Sequence, residues 1–173
     1  MKIRRAEASD ADFLAELLAH EEVEPYLSAV RPRDRESVLA QIERSQREPA
    51  ELGVFVIEDD GRPAGVMEFE RVNRRSRIAH LGGLAVHPDF RGRRLSDEAA
   101  RLFQRHLLLD LGFHRLQLEV YGFNDRAMRH AERAGFVREG LLRSYIEIKG
   151  RRRSVLVFSL LAHDVAPGAE AGT

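Results

Sequence analysis

Cysteine is missing from all 173 residues, which excludes a disulfide-stapled scaffold, a zinc ribbon and any thiol nucleophile. Lysine is nearly missing as well. Only Lys2 and Lys149 stand among the 28 basic residues, so almost all positive charge is guanidinium, either a genomic habit or a resource for anion recognition and ion pairs. No apolar run approaches the roughly 20 residues that span a bilayer. The start, Met1-Lys2-Ile3-Arg4-Arg5, has no apolar stretch behind it, so no secretory leader is expected and the chain reads as cytoplasmic, with no membrane partner. Net charge is lacking too: 28 Lys+Arg cancel 28 Asp+Glu. Affinity for a polyanion rests on excess basic charge, so a nucleic-acid partner is not expected.

What remains is a chain of one-domain length that can bury a core without staples. It alternates between period-2 and period-3.6 apolar patterns. A short strand near Lys2 leads to Ser9 and Asp12, a spacing that predicts a capping box, and then to a helix with Phe13, Leu14, Leu17 and Leu18 on one face. A more polar helix is expected over Asp34 to Arg47. Leu52 to Glu58 reads as a strand, Asp60-Gly61 as a type I′ hairpin turn, and Pro63 to Val72 as its partner. A third strand runs from Arg77 to Val86. Leu95 to Leu111 is a helix facing the core with Leu95, Ala99, Leu102, Phe103 and His106, stopped by Gly112. Arg115 to Tyr121 is a strand, Asn124 caps a short helix that Gly135 ends, and Val137 to Ile148 with Ser154 to Leu161 form a last hairpin. The order βααβββαβαββ predicts a single-domain α/β fold, a mixed and mostly antiparallel sheet flanked by helices, over residues 1–164. The tail from Val165 to Thr173 lacks periodicity and is expected to be disordered.

Chemistry is concentrated where a strand runs through Pro88-Asp89-Phe90-Arg91-Gly92-Arg93-Arg94-Leu95-Ser96 into a helix. Unpaired backbone N–H groups and the positive end of the helix dipole converge there, an arrangement suited to a diphosphate. A solvated loop accounts for the same residues when they are taken alone. No HExxH or other metal-ligand spacing exists among the seven histidines, so no metal is expected. Arg151-Arg152-Arg153 reads as a solvated hairpin end.

In its ordered set of motifs the chain resembles the GCN5-related N-acetyltransferase (GNAT) superfamily. The residues carrying the resemblance are the loop at Arg91 to Ser96, Arg115 to Val120, Asn124-Asp125-Arg126-Ala127, Ala134-Gly135-Phe136 and Glu139-Gly140. The last of these are most similar to the branch of ribosomal-protein N-terminal and spermidine acetyltransferases. The resemblance implies the acyl-CoA N-acyltransferase fold and direct transfer of acetyl from acetyl-CoA to a primary amine. Peptide N-terminus, polyamine and small amine stay open as acceptors, an acyl group longer than acetyl is not excluded, and a homodimer is left open. It implies that Arg91, Gly92, Arg93, Arg94, Leu95 and Ser96 hold the pyrophosphate, that Leu84, Ala85 and Val86 present backbone amides to the thioester, and that Asn124 contacts the cofactor.

Two departures stand out. Arg94 occupies a position that the superfamily usually gives to Gly. Ala131 and Ala127 stand where relatives carry a Tyr or Ser acid. A non-catalytic CoA-binding or regulatory module is therefore the alternative reading. For the base, His80 comes first, aligned with a Glu of the spermidine-acetylating relatives and titrating near neutrality. Glu68 is second, sharing a strand face with Glu70. Glu119, Tyr121 and Tyr145 are reserves. Each is equally at home as an ordinary strand residue.

Overall fold

A computed structural model describes residues 1–27 and 33–165. Seven strands follow the hydrogen-bonded order β1-β2-β3-β4-β5-β7-β6: β1 Lys2–Arg5, β2 Leu52–Asp59, β3 Arg62–Asn73, β4 Ile78–Val86, β5 Arg115–Tyr121, β6 Val137–Ile148 and β7 Arg151–Leu161. Helices are α1 Ala11–Ala19, α2 Arg35–Arg47, α3 Leu95–Arg105, α4 Asp125–Arg133 and the single turn α5 Ala162–Val165. The βααβββαβαββ order expected from periodicity is present. Val165, expected to begin the tail, ends α5, and the rest of that expected tail lies outside the described residues. Among the described residues no helix is long and apolar enough to cross a membrane.

The chain divides into two compact units, Met1–Arg71 with Leu81–Leu102, and Val72–His80 with the chain from Phe103 onward. In the first, β1 and β2 pair from Lys2↔Glu58 to Arg5↔Phe55, and β2 and β3 pair from Leu52↔Glu70. The core is formed by Leu14, Leu17 and Leu18 of α1, Val38 and Ile42 of α2, and Val54, Val56, Val66 and Ala85 of the strands. Arg5 closes the unit. Its Nη1 donates to Ser45 Oγ and to the Leu52 carbonyl at 2.8 and 2.9 Å, and its guanidinium lies 4.8 Å from the Phe55 ring centre. The expected Ser9 cap is corrected. The backbone N–H of Glu7 donates to Asp10 Oδ2 at 2.8 Å, and Ser9 falls inside the 3-10 turn Ala8–Asp10. Asp10 prevails because its carboxylate also receives both terminal nitrogens of Arg4, a charge-assisted fork that Ser9 could not accept.

In the second unit β5 and β7 pair throughout, β6 and β7 pair with two irregularities, and the core holds Phe113, Leu116, Ala131, Phe136, Val155, Phe158 and Leu160. Three expectations change here. After Arg105 the chain makes a π-helical turn, His106–Asp110, which turns both Leu107 and Leu108 inward. Leu102 is exposed, because the buried arc of α3 is centred on Ala99, Phe103 and Gln104. The strand expected from Ser154 begins earlier, at Arg151: Arg151, Arg152 and Arg153 pair with Ile148, Glu147 and Ile146, while Arg151 and Arg152 are exposed at the hairpin end as expected.

Arg115 on β5 reaches Glu139 on β6 through a two-pronged pair at 2.7 and 2.6 Å, and the Ser159 hydroxyl donates to the same carboxylate at 2.6 Å. Arg115 foremost, then Ser159, hold Glu139 at about 2 against an ordinary 4.5. A depressed carboxylate stabilises the fold fully above its unfolded value and loses that contribution as pH falls through its folded value. Glu139→Gln is therefore expected to lower the melting temperature at pH 7 by roughly 2–4 °C, since solvent screening limits the pair to about 1 kcal/mol. Wild type and variant should converge at pH 2. Melting curves at the two pH values test this, and an equal gap at both would refute it.

Candidate active site

Helix α3 begins without a capping side chain of its own. The Arg94 carbonyl accepts the Asp97 and Glu98 amides, each at 3.2 Å, while the amides of Gly92, Arg93, Arg94, Leu95 and Ser96 have no partner among the described residues. Leu95 pins this end by packing with Ala64 and Phe90. Five unpaired amides at the positive end of a helix dipole are the property the sequence pattern anticipated.

Arg91 pairs through Nη1 with the Glu22 carboxylate, and Arg93 Nη1 lies 3.1 Å from Asp59 Oδ2. Each guanidinium thus meets a carboxylate far away in sequence. Only Arg94 is exposed with no partner among the described residues.

Arg94 has φ +58. This left-handed conformation crowds a Cβ against the neighbouring carbonyl at about 1–2 kcal/mol and leaves Gly unstrained. A glycine at this position would sit without that strain. Arg94→Gly is expected to raise the melting temperature by about 1–3 °C, the relief of strain exceeding the entropy that Gly loses on folding. An unchanged or lower value by differential scanning calorimetry would show that the turn is not strained.

Upstream of the loop lies β4. It pairs in parallel with β5 at Ile78↔Arg115, Ala79↔Leu116 and His80↔Gln117. Leu84 is exposed, Ala85 buried and Val86 half-buried. Two glycines set the shape of this stretch. Gly83 has φ +65, and a Cβ there would stand 2.9 Å from Cδ and 3.0 Å from Oε2 of Glu68. Glu68 therefore fills the space that a side chain at position 83 would take. A Cβ on Gly65 would stand 2.5 Å from the Ala85 carbonyl oxygen, so the main chains of β3 and β4 approach as closely as only Gly allows. The β4 end is fixed by the His87 amide donating to the Ala64 carbonyl at 2.8 Å.

Glu68 also lines a shallow surface depression with Glu70, Phe69, Gln41, Arg44 and Val54. The first unit as a whole carries 14 Lys+Arg against 20 Asp+Glu, and the second 14 against 8. Zero net charge thus conceals an acidic half and a basic half.

Among the other expected residues, His80 is half-buried at the paired end of β4, opposite Gln117. Asn124 caps α4, its Oδ1 accepting the Ala127 amide at 3.1 Å, which leaves its amide nitrogen as a donor. Ala131 is buried on α4. Tyr121 is buried and stacked on Phe123 at 5.3 Å, Tyr145 is exposed, and Glu119 is exposed on β5. Among the described residues no group of His, Asp or Glu could hold a metal ion. Glu22 and Asp59 were not singled out from sequence. They meet the loop across 69 and 34 residues, and no local pattern marks them.

The sequence matches the family model for the acetyltransferase (GNAT) domain over residues 1–137. It is 28% identical over 130 residues to the prophage-derived N-acetyltransferase YokL of Bacillus subtilis, covering 75% of this chain and 72% of that protein. It is 29% identical over 109 residues to spermidine N(1)-acetyltransferase of Escherichia coli, covering 63% and 58%. Among solved structures, the spermidine N-acetyltransferase of Vibrio cholerae in complex with CoA and spermine is similar with TM-score 0.84, 20% identity, and 95% and 96% of the two chains covered. At that identity the likeness establishes the fold, which is the acyl-CoA N-acyltransferase fold.

Proposed function

Because this chain belongs to the GNAT acetyltransferase family, and is therefore an acetyl-CoA-dependent N-acetyltransferase, we propose that it acetylates a primary amine of the polyamine class, with residues 1–164 as its catalytic domain. The observation that carries this reading is the run of amides from Gly92 to Ser96, without partners among the described residues, at the start of α3 directly after β4.

Acetyl-CoA supplies an activated acyl group and two phosphates. The amides at the α3 N-terminus bind the pyrophosphate, aided by the dipole. Backbone amides of Leu84, Ala85 and Val86 hold the thioester carbonyl, and each donor aimed at developing negative charge contributes about 2.7–4 kcal/mol. With no cysteine in the chain, no acyl-cysteine intermediate can form, and the amine attacks the thioester carbonyl directly.

The amine must be neutral to attack. Glu68 accepts its proton, because its carboxylate lies against Gly83 on the strand that presents the acyl group. That contact favours Glu68 over His80. The thiol, with an ordinary pKa of about 8.5, departs as an anion without needing a Tyr or Ser acid. The acidic first unit and the spermidine-acetylating relatives together support a polycationic acceptor. Thiol release from acetyl-CoA in the presence of spermidine, an amino sugar or an N-terminal peptide tests the proposal. Turnover fastest with spermidine is expected. Turnover only with peptides would overturn the acceptor class, and no heat of CoA binding by folded protein would overturn the cofactor site.

A further inference from the structure

The two arginines flanking Gly92 are each tied back, and the pair at Arg91 is the more built of the two. Glu22 lies in the segment that follows α1. Its backbone amide donates to His20 Nδ1 at 3.1 Å, its carboxylate pairs with Arg91 Nη1, and its carbonyl accepts from Arg91 Nη2 at 3.3 Å. The His20 ring stands edge-on to His87 at 5.6 Å, and His87 Nδ1 accepts the Asp89 amide at 3.3 Å. One short segment, His20 to Glu22, thus clasps the loop at both its entry and its first arginine. Arg91 Nε is buried and has no hydrogen-bond partner among the described residues. Arg93, half-exposed, has the looser counterpart in Asp59 and lies 5.5 Å from the Phe90 ring centre.

We propose that Glu22 is a positioning residue for acetyl-CoA: it anchors Arg91 so that this arginine holds the loop main chain in place instead of binding phosphate itself. The inference rests on the reading of that loop as the pyrophosphate site. Its physical content is pre-organisation. An amide array that is already fixed needs no ordering when the ligand arrives, and the saving appears as affinity. Losing Glu22 frees the Arg91 head and the loop together. The cost falls on cofactor binding, whereas the chemistry on the β4 edge is untouched.

A double-mutant cycle tests this with Glu22→Gln, Arg91→Gln and the double variant, each checked for folding by its melting curve. CoA affinity is measured by calorimetry, and kcat and KM by thiol release. Each single variant is expected to weaken CoA binding about tenfold, with kcat at saturation within twofold of wild type. The double variant should be no worse than either single one, and Glu22→Asp should recover part of the affinity. An unchanged affinity for Glu22→Gln overturns the proposal. So does an Arg91→Gln defect that multiplies with that of Glu22→Gln, since Arg91 would then bind phosphate in its own right. If wild type itself binds no CoA, the failure belongs to the functional reading.

Discussion

Glu68→Gln is expected to lower kcat by about 10²–10⁴-fold, the range a positioned acid or base contributes, while leaving CoA affinity within twofold of wild type. Glutamine keeps the volume and one oxygen but cannot accept the amine proton. The carboxylate lies where a Gly83 side chain would be, so the residue is held against the strand proposed to present the acyl group. Its loss is felt in the chemical step and not in cofactor binding. His80→Ala serves as the comparison and should cost less than tenfold. Gly83→Ala pushes the same carboxylate aside, since its Cβ would lie 2.9 Å from Glu68 Cδ, and should reproduce much of the defect. Raising the pH in steps shows whether Glu68→Gln recovers as the free amine fraction rises, which a missing base predicts. A Glu68→Gln enzyme within threefold of wild type at pH 7 would remove Glu68 from the mechanism.

Gly65→Ala is expected to produce the largest loss of stability, about 3 kcal/mol, at the upper end of what overpacking costs. The added Cβ would stand 2.5 Å from the Ala85 carbonyl oxygen, 3.0 Å from Ile57 Cδ1 and 3.3 Å from Val86 Cα. Two of these three neighbours are main chain, which cannot rotate away as a side chain can. Relief requires β4 to shift at Ala85 and Val86, two residues proposed to meet the thioester. For a chain of this length the melting temperature should fall by about 6–12 °C, and kcat/KM measured well below the new midpoint should fall as well. A variant melting within 2 °C of wild type would mean that β3 and β4 yield easily and that Gly65 does not set the edge.

These predictions draw on different depths of the sequence. Helices and strands were legible where apolar spacing dominates: Leu14, Leu17 and Leu18 on α1, Val54 and Val56 on β2, and the Asp60-Gly61 turn between β2 and β3 all stand as their pattern suggests. The amide-rich start of α3 was legible too, because a helix N-terminus is a local property of the chain. Ends of elements were less so. A capping box at Ser9 and Asp12 satisfies the same spacing rule as Glu7 and Asp10. Only the arrival of Arg4 from β1 decides between them. Leu102 matches the helical period, yet it falls at the margin of an arc that the neighbours of α3 define.

The arginines show the same division. As a composition, 26 of them against two lysines says little. In the fold, Arg4 and Arg5 knit the first unit, Arg115 knits the second, and Arg91 and Arg93 are held by Glu22 and Asp59. Five residues that one count treats alike thus have three kinds of work, and only the last pair lies in the loop proposed to hold the cofactor.

By itself, then, the sequence determined the order of elements, the Arg/Gly loop that feeds the start of α3, the exclusion of a cysteine nucleophile and the presence of alanine at positions 127 and 131. All of these are local or compositional, readable from spacing and residue type. Only the tertiary structure decided that Glu68 lies on Gly83, that Gly65 admits the Ala85 carbonyl, and that Glu22 holds Arg91. The physical reason is range. Those contacts join residues 15 to 69 positions apart, and what selects them is the close packing of strand against strand and loop against helix end, which no window along the chain contains.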